Sequence, residues 1–167
     1  MARTARDGNL KISILTTEPA DPAAPTDTEL EAGIDASDVV AMSDLAWGAT
    51  DSDTISERAV GDRGNMTNPG ASNYGLGMTF FRSHDGSVPD AADDAYQAVK
   101  TKGTEVWVYV RETDEFADAP WAATNEIYLG GRVKTDTPTR VGTDGNIKMR
   151  VPMHPQKMYD DIVVAGP

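Results

Sequence analysis

The chain of 167 residues contains no cysteine and has no long apolar run. Without cysteine, no disulfide framework, thiolate zinc site or cysteine nucleophile can form, so stability depends on packing or on partners. No apolar run approaches the ~18 residues of a membrane span, and the N-terminal stretch MARTARDGNLK lacks the apolar middle of a signal peptide. We therefore expect a single domain over residues 1–167, without membrane contact, that is made and kept soluble in a cytoplasm.

Positive charge is also scarce, because 15 basic residues stand against 27 acidic ones and the net charge is -12. General nucleic-acid binders hold phosphates with lysine and arginine, so this class is excluded. The imbalance is uneven: residues 1–60 carry 12 acids and 4 bases (-8), 61–120 carry 10 and 5 (-5), and 121–167 carry 5 and 6 (+1). This gradient could let the acidic part of one copy meet the neutral or basic part of another, and a solvated acidic surface is the simpler alternative.

Residues suited to catalysis or metal binding are few. The two histidines, His84 and His154, lie beside turn-forming segments, and neither has a carboxylate and a nucleophile at the spacing of a hydrolytic triad. The acidic runs at 50–54 and 90–94 lack the central glycine and closing glutamate of an EF-hand loop. We interpret the first as a turn and the second as a helix N-terminus, with structural calcium as the alternative. We predict no catalytic residue, no metal and no cofactor, and expect a protein that is not an enzyme.

The dominant hydrophobic pattern has a period of two, which is typical of strands. In residues 104–112, Val106, Val108 and Val110 form an aliphatic core face, and the opposite face is aromatic and charged. An Asp-Gly turn at 143–146 predicts that 125–141 pairs antiparallel with 146–153. Further strands are predicted at 10–15, 44–49, 53–59, 72–82 and 161–165.

One amphipathic helix is predicted at about residues 90–102. Ala92, Ala95, Tyr96 and Val99 share one side at helical spacing, and Gly103 fits a C-terminal stop. A weaker helical turn is predicted at 26–33. The fold class is therefore mainly β: two packed antiparallel sheets, as a β-sandwich or half-barrel, with one flanking α-helix at about 90–102.

The strand at 72–82 has two dissimilar faces and follows a glycine-broken segment of mixed charge. Its glycines are no dinucleotide-binding loop, because the chain continues as a strand and not as a helix. The bulky side consists of Tyr74, Leu76, Met78 and Phe80, and the bare side of Asn73, Gly75, Gly77 and Thr79. A bare face permits close approach of a neighbouring subunit, and a bend in the sheet is the alternative.

Several motifs in this order resemble a known family. They are the LEAGID turn, a Trp-bearing strand, a DTI strand, a loop of mixed charge, the FFR strand end, an acidic helix and GTEVWVYVRE. Over about residues 30–164 the chain resembles the major tail (tail tube) proteins of long-tailed bacteriophages that infect actinobacteria. The resemblance implies a tail-tube type of sandwich or half-barrel that forms hexameric rings. These rings would stack into a tube within the virion tail, made in the host bacterial cytoplasm, through which DNA passes.

The resemblance also implies which residues contact other subunits. Residues 50–70 would form a long bridging loop that crosses to a neighbour and orders on assembly, and residues 1–8 would form a flexible N-terminal arm. The bridging candidates are Asp51, Asp53, Glu57, Arg58, Asp62, Arg63, Asn65 and Met66. The ring-interface strand candidates are Asn73, Gly75, Gly77 and Thr79.

The implied partners are further copies of the chain, the tape-measure and other tail proteins during assembly, and double-stranded DNA that passes without specific binding. Carboxylates facing the lumen would leave DNA free to slide, and this idea weakens if the lumen is lined by Arg132, Lys134, Lys148 and Arg150. Two alternatives stay open. One is the inner tube of a contractile injection or type VI secretion system. The other is a monomeric β-sandwich that binds carbohydrate through exposed Trp107, Tyr109, Trp121 or Tyr128.

Overall fold

A computed structural model describes residues 4–86, 88–142 and 144–167. Thr143, the first residue of the predicted Asp-Gly turn, and residues 1–3 of the predicted N-terminal arm lie outside these ranges. The strands of the described residues are β1 (Leu10–Leu15), β2 (Ile34–Asp35), β3 (Ala46–Thr50), β4 (Thr54–Glu57), β5 (Met66–Pro69), β6 (Asn73–Phe81), β7 (His84–Asp85), β8 (Val88–Pro89), β9 (Glu105–Glu112), β10 (Glu126–Thr135), β11 (Thr139–Val141) and β12 (Lys148–Val163). The helices are α1 (Asp27–Glu31) and α2 (Asp94–Val99), with single 3-10 turns at Met42–Asp44 and Ala91–Asp93.

Most strands belong to one antiparallel sheet with the order β2-β1-β9-β10-β12-β6-β3, and β11 lies beside β12. Two hairpins, β4–β5 and β7–β8, stand outside this sheet. Both β10 and β11 pair with β12, so the predicted pairing across the Asp-Gly turn is confirmed.

The two ends of the sheet meet through residues 36–41. The Ala36 N–H donates to the Ile12 carbonyl (2.9 Å), which continues the β1 edge. The Ala41 N–H then donates to the Thr79 carbonyl (2.8 Å) on β6. Inside the closure, Trp47 Nε1 of β3 donates to the Leu129 carbonyl of β10 (2.9 Å). The mainly β, sandwich-like fold with half-barrel closure is therefore as predicted.

The enclosed core contains the predicted aliphatic face of β9 and the predicted bulky side of β6. Val106, Val108 and Phe80 are completely buried within it. Burial of each such side chain contributes about 1.5–3 kcal/mol, so this cluster holds the two halves of the sheet together.

The other face of β9 is also buried, which the alternating pattern does not indicate. Trp107 and Tyr109 pack with Leu30 of α1, Trp121 and Ile162 in a second core. This face is covered by α1, which is remote from β9 in the sequence, and by the loop 113–125, which is irregular. Arg111 on this face is fully buried as well.

The strands predicted at 146–153 and 161–165 are parts of one strand, β12, which has 16 residues. The prolines at 152 and 155 suggest breaks, but β12 pairs with β6 only as far as Met153 and with β10 from Met153 to Val163. Beyond Met153 one edge of β12 pairs with no strand of the described chain, and an edge strand tolerates proline.

The helix is shorter than predicted, because α2 spans six residues after a 3-10 turn. Ala95, Tyr96 and Val99 are buried as predicted, whereas Ala92 is exposed. The turn predicted at 26–33 contains α1, which begins with a capping box between Thr26 and Glu29.

Residues 4–8 of the predicted flexible arm lie against the body of the protein. Arg6 forms an ion pair with Glu112 (3.1 Å), and the Gly8 carbonyl accepts from the Ala117 N–H (2.8 Å). In this structure the chain's own 112–117 segment holds the described part of the arm.

Candidate assembly surface

The segment predicted as a long bridging loop contains a two-stranded hairpin. Its register runs from Thr54 opposite Pro69 to Glu57 opposite Met66. Every residue from 53 to 69 is exposed. We call residues 54–69 the projecting hairpin, since they extend from the body with both faces in solvent.

The two faces of the projecting hairpin differ in polarity. Strand alternation places Ile55 and Met66 on one face, at 49% and 58% exposure, together with the polar residues Glu57 and Asn68. The opposite face carries Thr54, Ser56, Thr67 and Pro69. A two-stranded hairpin alone is marginally stable in water, so the face that carries Ile55 and Met66 gains most from contact with another surface.

The predicted bridging residues at the tip are in solvent. The Asp62 carboxylate accepts from the Ala59 N–H (2.9 Å) and closes the tip. The side chains of Glu57, Arg58, Arg63 and Asn65 make no hydrogen bond or ion pair to another described residue. They are therefore available to a partner.

Asp51 and Asp53 lie at the root of the hairpin and not at its tip. Asn73 Nδ2 donates to the Asp51 carbonyl (3.2 Å) and to Asp53 Oδ1 (2.9 Å). The structure thus brings members of both predicted sets together, where they connect the root of the hairpin to the start of β6.

The bare side of β6 is only partly open. A Cβ atom on Gly77 would lie 3.4 Å from Nη2 of Arg150, so this chain's own arginine occupies the space. Thr79 is completely buried, whereas Gly75 is half-buried and Asn73 is exposed. Of the four predicted interface residues, these last two lie at the surface.

A buried ion pair that the sequence does not indicate joins the 3-10 turn before α2 to the residue that follows β6. Arg82 donates to both oxygens of Asp93 (2.6 and 2.8 Å), and Gln97 donates to the same carboxylate (2.5 Å). Burial alone would raise the pKa of Asp93, but the bonds from Arg82, Gln97 and the Ser83 N–H outweigh it and lower that pKa. The acidic run 90–94 is thus more than a helix N-terminus.

Three of the four aromatic side chains proposed for carbohydrate binding are buried. Trp107, Tyr109 and Trp121 belong to the second core, and Tyr128 alone is exposed, at 46%. The Tyr109 hydroxyl donates to the Pro22 carbonyl (3.0 Å), and burial raises its pKa. The surface expected of a carbohydrate-binding module is therefore absent from the described residues.

Neither histidine is part of a triad in the described chain. His84 lies exposed on β7, and His154 contacts Asp136 (3.2 Å), which also pairs with Lys102 (3.1 Å). The Thr137 N–H, His154 and Lys102 lower the pKa of Asp136. Among the described residues, no group of three or more histidine or carboxylate side chains could hold a metal ion.

These features define a β-rich structural protein whose exposed hairpin and open strand edge are suited to contacts between chains. A family model described as "Phage tail tube protein" matches residues 1–167. The chain belongs to this family and is a structural component of the virion tail, so the resemblance to tail tube proteins is confirmed. No curated protein matches the chain. In the described residues, no helix is long and apolar enough to cross a membrane.

Proposed function

We propose that the chain assembles with itself into hexameric rings and that these rings stack to form the tail tube through which DNA leaves the virion. The observation that carries the proposal is the projecting hairpin, which exposes an amphipathic face and makes few contacts with its own body. The hairpin of one copy would cross to a neighbour and cover Ile55 and Met66 there. Asn73 at its root would set the direction of this crossing.

The open strand edge supports the same proposal. From His154 to Val163, one edge of β12 pairs with no strand of the described chain. Unpaired edges recruit other chains, and a closed ring removes them without leaving a free edge. Gly75, half-buried on β6 beside Thr50, adds a position at which a neighbour's backbone could approach closely.

The net charge of -12 suits a conduit for DNA. Carboxylates in the lumen repel phosphates and leave DNA free to slide, whereas arginine and lysine would retain it. We propose that DNA passes without specific binding and that tape-measure and other tail proteins act as assembly partners. The subunit would be made in the cytoplasm of an actinobacterial host and would act without catalysis.

Negative-stain electron microscopy of the purified chain tests this proposal. We expect rings, or filaments built from stacked rings, with an open central channel. Uniform particles the size of one subunit, even at high protein concentration, would contradict it.

A further inference from the structure

The loop 113–125 is held rigidly from inside the protein. The fully buried guanidinium of Arg111 donates to the carbonyls of Phe116 (2.7 Å) and Pro120 (3.0 Å) and pairs with Glu115 (3.0 Å). It also lies 5.4 Å from the centre of the Trp121 ring. These contacts fix the backbone of the loop.

This fixed loop nevertheless presents a large apolar side chain to solvent. Phe116 is 70% exposed while its own carbonyl is held by Arg111. An aromatic side chain on a fixed backbone is suited to anchor a protein interface, because the loop loses little conformational freedom when the side chain is covered.

The surroundings of Phe116 are acidic. Asp114 and Asp118 flank it in the loop, are exposed, and form no ion pair with another described residue. Glu126 and Asp161 line a cleft of about 370 Å³ at the same end of β9 and β10. We call Asp114, Phe116, Asp118, Glu126 and Asp161 the acidic end.

The opposite end of the same strands is basic. Glu105 at the start of β9 is contacted by both Arg132 (3.7 Å) and Lys134 (3.4 Å), and the register places Lys157 opposite Arg132. These three cations outnumber the two carboxylates near them, Glu105 and, beside Lys157, Glu18. We call Arg132, Lys134 and Lys157 the basic end.

The two ends are too far apart to neutralise each other within one chain. Along β10, Glu126 and Lys134 are eight residues apart, or roughly 26 Å at ~3.3 Å per residue, and along β12 Lys157 and Asp161 are four residues apart, or roughly 13 Å. The Debye length in physiological salt is only ~8 Å. The charges can therefore meet only between copies.

We propose that the acidic end of one copy, with Phe116 as its anchor, docks on the basic end of the next copy. Two different surfaces at opposite ends of a chain give a head-to-tail contact, which generates a ring or a filament. This inference rests on the proposed self-assembly and identifies the charged surfaces that join neighbours. It also places the cations of the basic end against protein and away from the lumen.

Charge reversal tests the contact. One double variant, Asp114→Lys with Asp118→Lys, should remove the negative charge of the acidic end. The other, Lys134→Glu with Lys157→Glu, should remove the positive charge of the basic end. Light scattering should show that each double variant no longer assembles, or assembles only at a protein concentration at least about tenfold higher, because reversed charges repel across the contact. The control for the acidic-end variant, Asp85→Lys with Asp94→Lys, makes the same change in net charge elsewhere and should assemble like the wild type.

Mixing the two double variants gives the most specific result. Each retains one intact end, and the reversed end of one variant is opposite in charge to the reversed end of the other. The mixture should therefore assemble although neither variant does so alone, which analytical ultracentrifugation detects. A chain carrying all four reversals should assemble again, since both ends have changed sign. Phe116→Ala should weaken assembly at least about tenfold, whereas Val88→Ala, at a site of similar exposure, should not.

Different failures have different meanings. If the wild type never assembles, both the proposed function and this contact are overturned. If the wild type assembles and both folded double variants do the same, the contact is overturned and the proposed function stands. If the Lys134/Lys157 variant assembles normally but retains less double-stranded DNA, the basic end faces nucleic acid and the contact is equally overturned.

Discussion

Strand β9, which is predicted from its alternating pattern, and the projecting hairpin, whose segment is predicted as a bridging loop with a strand at 53–59, differ completely in burial. All six residues from Val106 to Arg111 in β9 are buried, whereas every residue from 53 to 69 is exposed. Strand alternation is therefore a guide to local structure and says little about what covers each face. In β9 the cover is the chain itself, and for the hairpin we propose that it is another copy.

This difference predicts two kinds of mutational effect. Changes beside β9 should lower the free energy of unfolding of the subunit. Changes in the projecting hairpin should leave that free energy nearly unchanged and should affect assembly alone.

The largest effect is expected at Arg111. Arg111→Met should lower the free energy of unfolding by about 4 kcal/mol, because it leaves the carbonyls of Phe116 and Pro120 without their buried donor. Urea denaturation measures this change. Arg58→Met, the matched change on the hairpin, should alter it by less than about 0.5 kcal/mol. Equal losses of unfolding free energy in the two variants would contradict the distinction between β9 and the projecting hairpin.

A slightly smaller effect is expected at Asp93. Asp93→Asn should cost about 3 kcal/mol, because it leaves the Arg82 guanidinium largely buried beside a neutral partner. Urea denaturation at neutral pH measures this loss, with Asp94→Asn, at an exposed neighbouring carboxylate, as the control.

The loss at Asp93 should depend on pH. Its pKa is lowered in the folded chain, so its stabilising contribution is present above the unfolded pKa of about 3.9 and is lost as pH falls through the folded value. The stability difference between wild type and Asp93→Asn should therefore narrow below about pH 4. A difference that stays constant down to pH 2 would contradict the ion pair.

The cap of α1 should have a smaller effect. Thr26→Ala removes the hydroxyl that accepts from the Glu29 N–H and should cost about 1 kcal/mol, measured by thermal denaturation. Thr28→Ala, two residues further along at an exposed position of α1, is the control and should cost less. Since Leu30 of α1 covers the second core, a loss well above 2 kcal/mol would mean that α1 is essential to that core.

The smallest effect on folding is expected in the hairpin. Replacing residues 58–65 with Asn-Gly keeps the paired strands and removes the exposed tip. Urea denaturation should show a change below about 0.5 kcal/mol, and light scattering should show loss of assembly. Unfolding of this variant would show that the tip belongs to the body.

The periodic part of the fold is predictable from the sequence alone. The core face of β9 and the antiparallel pairing of β10 with β12 follow from alternation and turn chemistry. The burial of Trp107 and Tyr109 does not follow, because the covering segments are irregular or remote in sequence. The continuity of β12 does not follow from the sequence, because Pro155 indicates a break, although it lies where only one edge of the strand is paired.

The candidate assembly surface is less predictable from the sequence than the periodic part of the fold. Exposure of the charged hairpin tip follows from its glycines and mixed charge. The role of Asp51 and Asp53 at the root does not, since it depends on Asn73 twenty or more residues away. The bare side of β6 is partly filled by Arg150, and only three-dimensional pairing brings that arginine over Gly77.

Amide hydrogen exchange, compared between free subunits and assembled material, tests the central claim most directly. We predict that the amides of β4 and β5 exchange rapidly in the free subunit and become strongly protected on assembly, while those of β9 are protected throughout. Assembled material in which the β4 and β5 amides still exchange as fast as in free subunits would contradict the claim that another copy covers the projecting hairpin.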